Sequence, residues 1–268
     1  MDVPLVLQLL ASLKARAWVG DVKGAFTQGL RHLRPEPLFA SAPPGGIPGE
    51  DDYVLIEIVA EVYGLITGPP AWRMSLMTTF KELGFKKHPL APCVVLMYET
   101  LHGKPDQLSG SICIETDDLL GGGIGPKYRD AVEALKKKYK FGKWIYLMEA
   151  QTEYGGRSLK QFKDFGFQNS MTRYLREKSA EIKLERGRGK DQEALATPQE
   201  ITQMRGVVGK LNWTSREAMP QGAGDASLLA GTLPHPKVKD LTAANAALRR
   251  LIQNDVPILI KPIPLEKL

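Results

Sequence analysis

Three aspartates are the residues of this chain best suited to chemistry by type and spacing. Asp21 ends one apolar run, in Gly20-Asp21-Val22-Lys23-Gly24-Ala25-Phe26. Asp117 and Asp118 end another, in Ile114-Glu115-Thr116-Asp117-Asp118-Leu119-Leu120. Each run reads as a strand that delivers a carboxylate to its end. Aspartate in a turn is common simply for its backbone hydrogen bonding, so neither segment alone assigns a function. Brought together without a cation, three carboxylates would repel and at least one would take up a proton. Such oxygen ligands suit Mg²⁺, and a pair of such ions is the usual device for in-line displacement at phosphorus.

The residues between the two segments narrow the reading. Val62-Tyr63-Gly64-Leu65 leads through Pro69-Pro70-Ala71-Trp72 into Phe80-Lys81-Glu82-Leu83-Gly84-Phe85-Lys86-Lys87. Later come Phe141-Gly142-Lys143-Trp144, Arg205-Gly206-Val207-Val208-Gly209-Lys210-Leu211 and the helical Ala243–Leu251. In this order the motifs resemble the reverse transcriptase of copia-type LTR retrotransposons, over most of the chain. The resemblance implies an RNA-directed DNA polymerase: an α+β fold with a palm-like antiparallel sheet, packed helices and a helical C-terminal part. It implies two Mg²⁺ ions, with Mn²⁺ as a substitute, an RNA or DNA template-primer, and deoxynucleotide triphosphates.

Roles follow from the same resemblance. Asp21, the Val22 carbonyl, Asp117 and Asp118 would hold the metal, Asp117 bridging both ions. Gly24 and Ala25 would let a nucleotide approach the backbone. Phe26 would bar a 2′-hydroxyl, unless it is ordinary core. Tyr63 and Gly64 would line the other side of the nucleotide pocket. Lys143 and Trp144 would grip the primer strand, although a buried Trp beside a turn suits the same residues.

Some positions depart from the family pattern. Glu115 stands where an aromatic residue usually precedes x-Asp-Asp, and its charge opposes primer placement. Ile66 and Thr67 replace a Lys-Gln pair. Most of the fingers, and any RNase H, integrase or protease segment, are expected to lie outside this chain. These departures leave open an alternative: a degenerate, non-catalytic remnant with the palm fold and at most weak nucleic-acid binding.

Composition sets the outer bounds. With 268 residues, 43% of them hydrophobic and 25% charged, the chain has the make-up of a globular protein rather than a disordered one. Its excess of six positive charges permits a polyanionic partner without demanding one. Cys93 and Cys113 lie in apolar stretches and read as buried thiols of a reducing compartment. His32, His88, His102 and His235 stand singly, with no zinc-ligand spacing. No apolar run approaches membrane-spanning length, and the first thirteen residues lack a basic leader and cleavage site. An intracellular protein, cytoplasmic or nuclear and not secreted, is expected.

Three regions are expected to position these residues: a palm with partial fingers over 1–150, a connecting segment with a charged linker over 151–190, and a helical thumb-like region over 191–268. A helix from Asp2 to Lys14 feeds a strand from Ala17 to Val22. A Pro- and Gly-rich loop from Pro35 to Asp52 precedes a strand from Tyr53 to Val59. Pro69 and Pro70 open a helix with Trp72, Leu76, Phe80 and Leu83 on one face, closed by Gly84. Strands follow over Cys93–Tyr98 and Gly110–Leu120, with Gly121-Gly122-Gly123 as a flexible exit. A helix from Pro126 to Lys140 carries a lysine run that reads equally as a solvated face or as phosphate contacts. Glu185 to Gln192 reads as a flexible charged linker. Thr197-Pro198-Gln199-Glu200 is a capping box, and a last helix spans Lys237 to Gln253.

Overall fold

The computed structural model describes residues 2–29, 36–51, 53–185 and 187–265. His32, the first residue of the Pro35–Asp52 loop, the last residue of that loop, and Arg186 within the charged linker lie outside the described residues. The chain opens with α1 (Asp2–Ser12), β1 (Ala17–Val22), α2 (Ala25–Gln28), β2 (Phe39–Ser41), β3 (Leu55–Glu57) and α3 (Gly68–Glu82). It continues with β4 (Lys86–Lys87), β5 (Val94–Leu101), β6 (Lys104–Glu115), β7 (Asp118–Gly123), α4 (Pro126–Lys138) and β8 (Phe141–Tyr146). Then come β9 (Thr152–Tyr154), β10 (Arg157–Gln161), β11 (Phe167–Ser170), α5 (Thr172–Lys178), α6 (Pro198–Glu217), α7 (Ala223–Thr232), α8 (Val238–Gln253) and β12 (Ile258–Ile260). The fold is mixed α+β, with antiparallel strand pairs and several helices.

Two compact units divide the chain: Trp18–Ile145, and Met1–Ala17 together with Tyr146–Leu268. The first is built on a six-stranded sheet in the order β4-β5-β6-β7-β1-β8. The two longer helices of this unit, α3 and α4, have clear local causes. In α3, Pro69 and Pro70 occupy the first turn, where a missing amide hydrogen costs nothing. Trp72, Leu76 and Phe80 recur every four residues and are buried, and Gly84, with φ of 85°, lets the chain turn away. In α4, Tyr128, Val132 and Leu135 form the buried stripe, and Tyr139 just beyond it is buried too. The buried carboxylate of Glu99 accepts from the Lys127 and Tyr128 amides, at 3.2 and 3.3 Å, and so caps the α4 N-terminus. Gly125, with φ of 86°, makes room for it, since a Cβ there would lie 2.5 Å from that carboxyl.

The second unit joins α1 and residues 146–268. It contains a four-stranded sheet, in the order β12-β11-β10-β9, and the helices α5 to α8. Met171, Met204, Leu211, Leu241 and Ala244 lie at the centre of its helical core. The capping box forms as its spacing predicts: Glu200 N–H donates to Thr197 Oγ1, and Thr197 N–H to Glu200 Oε2.

Five expectations need correction. Only Leu55–Glu57 of the Tyr53–Val59 run is strand, paired to β2 in a two-stranded ribbon, and Tyr53, Leu55 and Val59 are exposed. With no core beneath it, alternation does not extend the strand. The single strand expected over Gly110–Leu120 is two, because Thr116 and Asp117 form a turn between β6 and β7. The three glycines are not an exit: Gly121 and Gly122 lie within β7 and Gly123 ends it. Trp18 covers Gly121 and Tyr128 covers Gly123, with rings 2.6 and 2.5 Å from where a Cβ would be. The linker is partly ordered, since Arg188 begins a short 3-10 turn and pairs twice with Glu200, at 2.8 and 2.9 Å. Of the thiols, Cys113 is buried and Cys93 only half-buried.

Candidate functional site

The carboxylate end of the sheet is built by two hairpin-like joins. In the first, β6 and β7 are antiparallel with Glu115 opposite Asp118. In the second, Val22 N–H donates to Asp117 O at 2.9 Å, and Trp18 lies over Gly121. Those two pairings run in opposite chain directions, so β7 and β1 are also antiparallel, and Asp21 falls opposite Asp118. Residues directly opposite in a pleated sheet share a face. Glu115, Asp118 and Asp21 therefore form a row across three strands.

The turn that carries Asp117 is held in an uncommon shape. Thr116 has φ of 56°, in a region that a β-branched residue rarely adopts. Trp72 on α3 secures it by donating its indole N–H to Thr116 O at 2.7 Å. On the other side of Asp21, Gly142 of β8 offers no side chain; a Cβ there would stand 3.1 Å from Asp21 Oδ2. Gln28 fixes the neighbouring loop, donating to Lys140 O at 3.0 Å and accepting from Lys140 N–H at 2.7 Å.

Electrostatics follow from this crowding. Burial pushes the Asp118 carboxyl up to about 6, helped by the negative charges of Asp117 and then Asp21. Lys143 acts in the opposite direction, and Glu115 adds to the upward push. The Tyr63 phenol is also raised: first by desolvation, then by the charge of Asp117 and its hydrogen bond to that carboxylate, then by Asp21. The Tyr63 residue as a whole remains 63% exposed.

The other sequence-derived residues surround this end of the sheet. Gly24, with φ of 60°, precedes α2, and Ala25 behind it is fully buried. Phe26 is 7% exposed, and its ring lies 4.6 Å from that of Tyr63. Gly64 has φ of 97° and open space where a Cβ would stand. Val22 is buried. Trp144 stacks on Trp18 at 3.9 Å, meets Phe141 edge-on at 5.0 Å, and carries Lys136 Nζ above its ring at 4.4 Å. Trp144 is half-buried by that packing. Of the lysine run, Lys136 pairs with Glu133 and Lys138 with Glu82, both at 3.0 Å.

The donor set of Asp21, Asp117, Asp118 and the Val22 carbonyl is chemically right for a hard cation. Asp118 is raised first by its burial and then by the charges of Asp117 and Asp21. Among the described residues, however, no group of three His, Cys, Asp or Glu side chains is arranged to hold a metal ion.

Trp72, Gln28 and Gly142 carry positioning roles that sequence reasoning missed. Trp72 was visible only as a core residue on a helical stripe, and its indole N–H gave no separate signal. For Gly142 a signal existed, since glycine within a strand often marks a close approach by another group.

Comparison with known proteins gives one match and one negative. The chain is 25% identical over 252 residues to the "Putative transposon Ty5-1 protein" of Saccharomyces cerevisiae, covering 86% of this chain and 74% of that protein. No family model matches. No helix among the described residues is long and apolar enough to cross a membrane.

Proposed function

We propose that residues 18–145 are the palm of a copia-type reverse transcriptase, performing or descended from RNA-directed DNA synthesis. The observation that carries this reading is the placement of Asp21 opposite Asp118, with Asp117 at the turn between. The similarity to a transposon protein supports it, as does the ordered motif set.

In this reading Asp21, Asp117, Asp118 and the Val22 carbonyl hold Mg²⁺ or Mn²⁺. The bound cations supply Lewis-acid stabilisation of the attacking and leaving oxygens. A bound cation would favour the ionised form of Asp118. Gly24 and Ala25 let the nucleotide backbone approach, and the Phe26 ring stands where a 2′-hydroxyl would fall. Tyr63 supports that ring and holds Asp117. Lys143 offsets the negative charge of the carboxylate end and is available to a primer phosphate.

A second reading is favoured by Glu115. It lies opposite Asp118 and contributes negative charge where a triphosphate and a primer must collect. On that reading the chain keeps the palm fold and binds nucleic acid weakly, without catalysis. Primer extension by the purified chain on RNA and DNA templates, with Mg²⁺ and with Mn²⁺, separates the two. Extension abolished by Asp118→Asn supports the polymerase. Absence of extension with either metal supports the remnant.

A further inference from the structure

The positive charge of this chain is unevenly held. Residues 18–145 carry fifteen Lys and Arg against fifteen Asp and Glu, whereas the rest of the chain carries twenty-one against fifteen. The whole excess of six therefore belongs to the second unit. Within it, α6 turns one face to solvent: Thr202, Arg205, Gly206, Gly209, Asn212 and Arg216 are exposed at helical spacing. The two carboxylates of this helix are engaged elsewhere, Glu200 with Arg188 and Glu217 with Arg157. Among the described residues, neither Arg205 nor Arg216 has a carboxylate within ion-pair distance. Lys183 N–H donates to Gln203 Oε1 at 2.9 Å and Lys210 Nζ donates to Lys178 O, so the exposed Lys178 and Lys183 flank the same helix.

The two glycines call for an external reason. Glycine is the poorest helix former after proline, yet a Cβ at Gly206 or Gly209 would meet nothing within 4 Å. Packing inside the protein requires neither. Their missing side chains leave a flat strip between two guanidinium groups, open to close approach by a partner.

The chemistry of the strip selects that partner. Arginines without a neighbouring acid suit a polyanion, and their planar fork holds phosphate oxygens in pairs. No apolar side chain stands among the six, which argues against burial in a lipid surface. Trp213, the one aromatic of α6, packs against Tyr174 and over Gly156, leaving this face without an exposed ring on which single-strand bases would stack. Arg205 and Arg216 lie eleven residues apart, about 16 Å along the helix. That span sets them over the two phosphate edges of a groove, with the glycines toward its floor. The minor groove of B-form DNA is too narrow for a helix, and its deep major groove is read by side chains that glycine lacks. The wide, shallow minor groove of an A-form duplex fits a flat strip, and its 2′-hydroxyls suit the Asn212 amide.

We propose that this face of α6 binds an A-form, RNA-containing duplex by its sugar-phosphate backbones, without reading sequence. The proposal does not depend on catalysis at the aspartates, so duplex binding and primer extension are read separately. The test is fluorescence anisotropy of the full chain with a short fluorescein-labelled RNA–DNA hybrid. Binding at least fivefold tighter than to the DNA duplex or either single strand of the same sequence is expected. Arg205→Gln with Arg216→Gln should weaken the hybrid at least tenfold and lower its log–log salt slope by about two. Gly206→Gln with Gly209→Gln should raise the thermal midpoint, because better helix formers enter open space, yet weaken the hybrid at least fivefold. A role confined to the fold would not part stability from affinity in that way. Lys137→Glu with Lys140→Glu, in the first unit, should leave affinity within twofold.

Equal or tighter binding of the DNA duplex or a single strand overturns the proposal, as does unchanged affinity in the arginine or glycine variants. A loss confined to the Lys137 and Lys140 variant would move the contact to the first unit and overturn it too. Displacement of the hybrid by polyglutamate of equal charge would assign the face to an acidic protein instead.

Discussion

The amide of Val22 donates to the carbonyl of Asp117 at 2.9 Å, while the preceding carbonyl, that of Thr116, accepts from the Trp72 indole at 2.7 Å. Two successive carbonyls of one turn are thus held by a strand on one side and a helix side chain on the other. The turn that bears Asp117 has little freedom to relax its positive-φ residue, and Asp117 is fixed relative to Asp21.

Trp72→Phe tests that arrangement. Phenylalanine retains much of the buried ring area but leaves the Thr116 carbonyl without its donor, at a cost of about 1–3 kcal/mol. Urea unfolding should show that loss, and hydrogen exchange at Thr116 to Asp118 should quicken more than elsewhere in the sheet. Uniform quickening would mean that Trp72 acts only as core.

Stability should depend on pH through Asp118. Its folded-state value of about 6 lies above the free-chain value of 3.8. The folded chain therefore binds more protons than the unfolded one between about pH 4 and 6. Stability contributed by this group is present below that window and falls as pH rises through it. Asp118→Asn should remove the dependence, so the variant gains on the native chain as pH rises from 4 to 7. A stability difference constant across that range would contradict the assignment. Added Mn²⁺ should release a proton near pH 6 if the aspartates ligate it.

Phe26→Ala addresses substrate choice. If the chain polymerises, the variant should admit ribonucleotides, because the ring is the proposed bar to a 2′-hydroxyl. Competition between ribo- and deoxynucleotides in primer extension measures this. Unchanged discrimination, with a stability loss of about 3–5 kcal/mol, would return Phe26 to the core.

Glu115 supplies a charge test that does not require catalysis. Glu115→Gln should lower the Asp118 value, since Glu115 is among the groups raising it, and NMR titration of the Asp118 carboxyl reads the change directly. Replacing Glu115 by Tyr, with Ile66→Lys and Thr67→Gln, should raise nucleotide incorporation if the fold is otherwise competent. Thr67 already donates to Glu61 at 2.8 Å, so the glutamine must take over that contact. Mn²⁺ binding without any incorporation by the triple variant would locate the defect elsewhere.

Local signals carried much of the fold. Helices α3, α4, α6 and α8 were legible because each joins a start signal to a long apolar stripe, and β1 because a short apolar run ends at a turn. The region 151–190 was read as connecting chain, yet it contains β9, β10, β11 and α5. Those strands are three to five residues long, too short for alternation to stand out. The aspartates were legible through type and motif order. What lay beyond reading was the register: that Asp118 faces both Asp21 and Glu115 depends on backbone pairing between β1 and β7, nearly a hundred residues apart. Trp18 and Trp144 show the same limit, since nothing local foretold that they would stack.

The glycines of β7 bear on how the site comes into being. Glycine weakens an isolated strand, so the β6–β7 hairpin gains its rigidity from rings supplied by Trp18 and Tyr128. The Asp117–Asp118 turn closes through neighbours in sequence, whereas Asp21 meets it only when β1 pairs with β7, nearly a hundred residues away. Contacts of such high sequence separation slow folding. The three negative charges are therefore expected to meet at one place only as β1 joins the sheet.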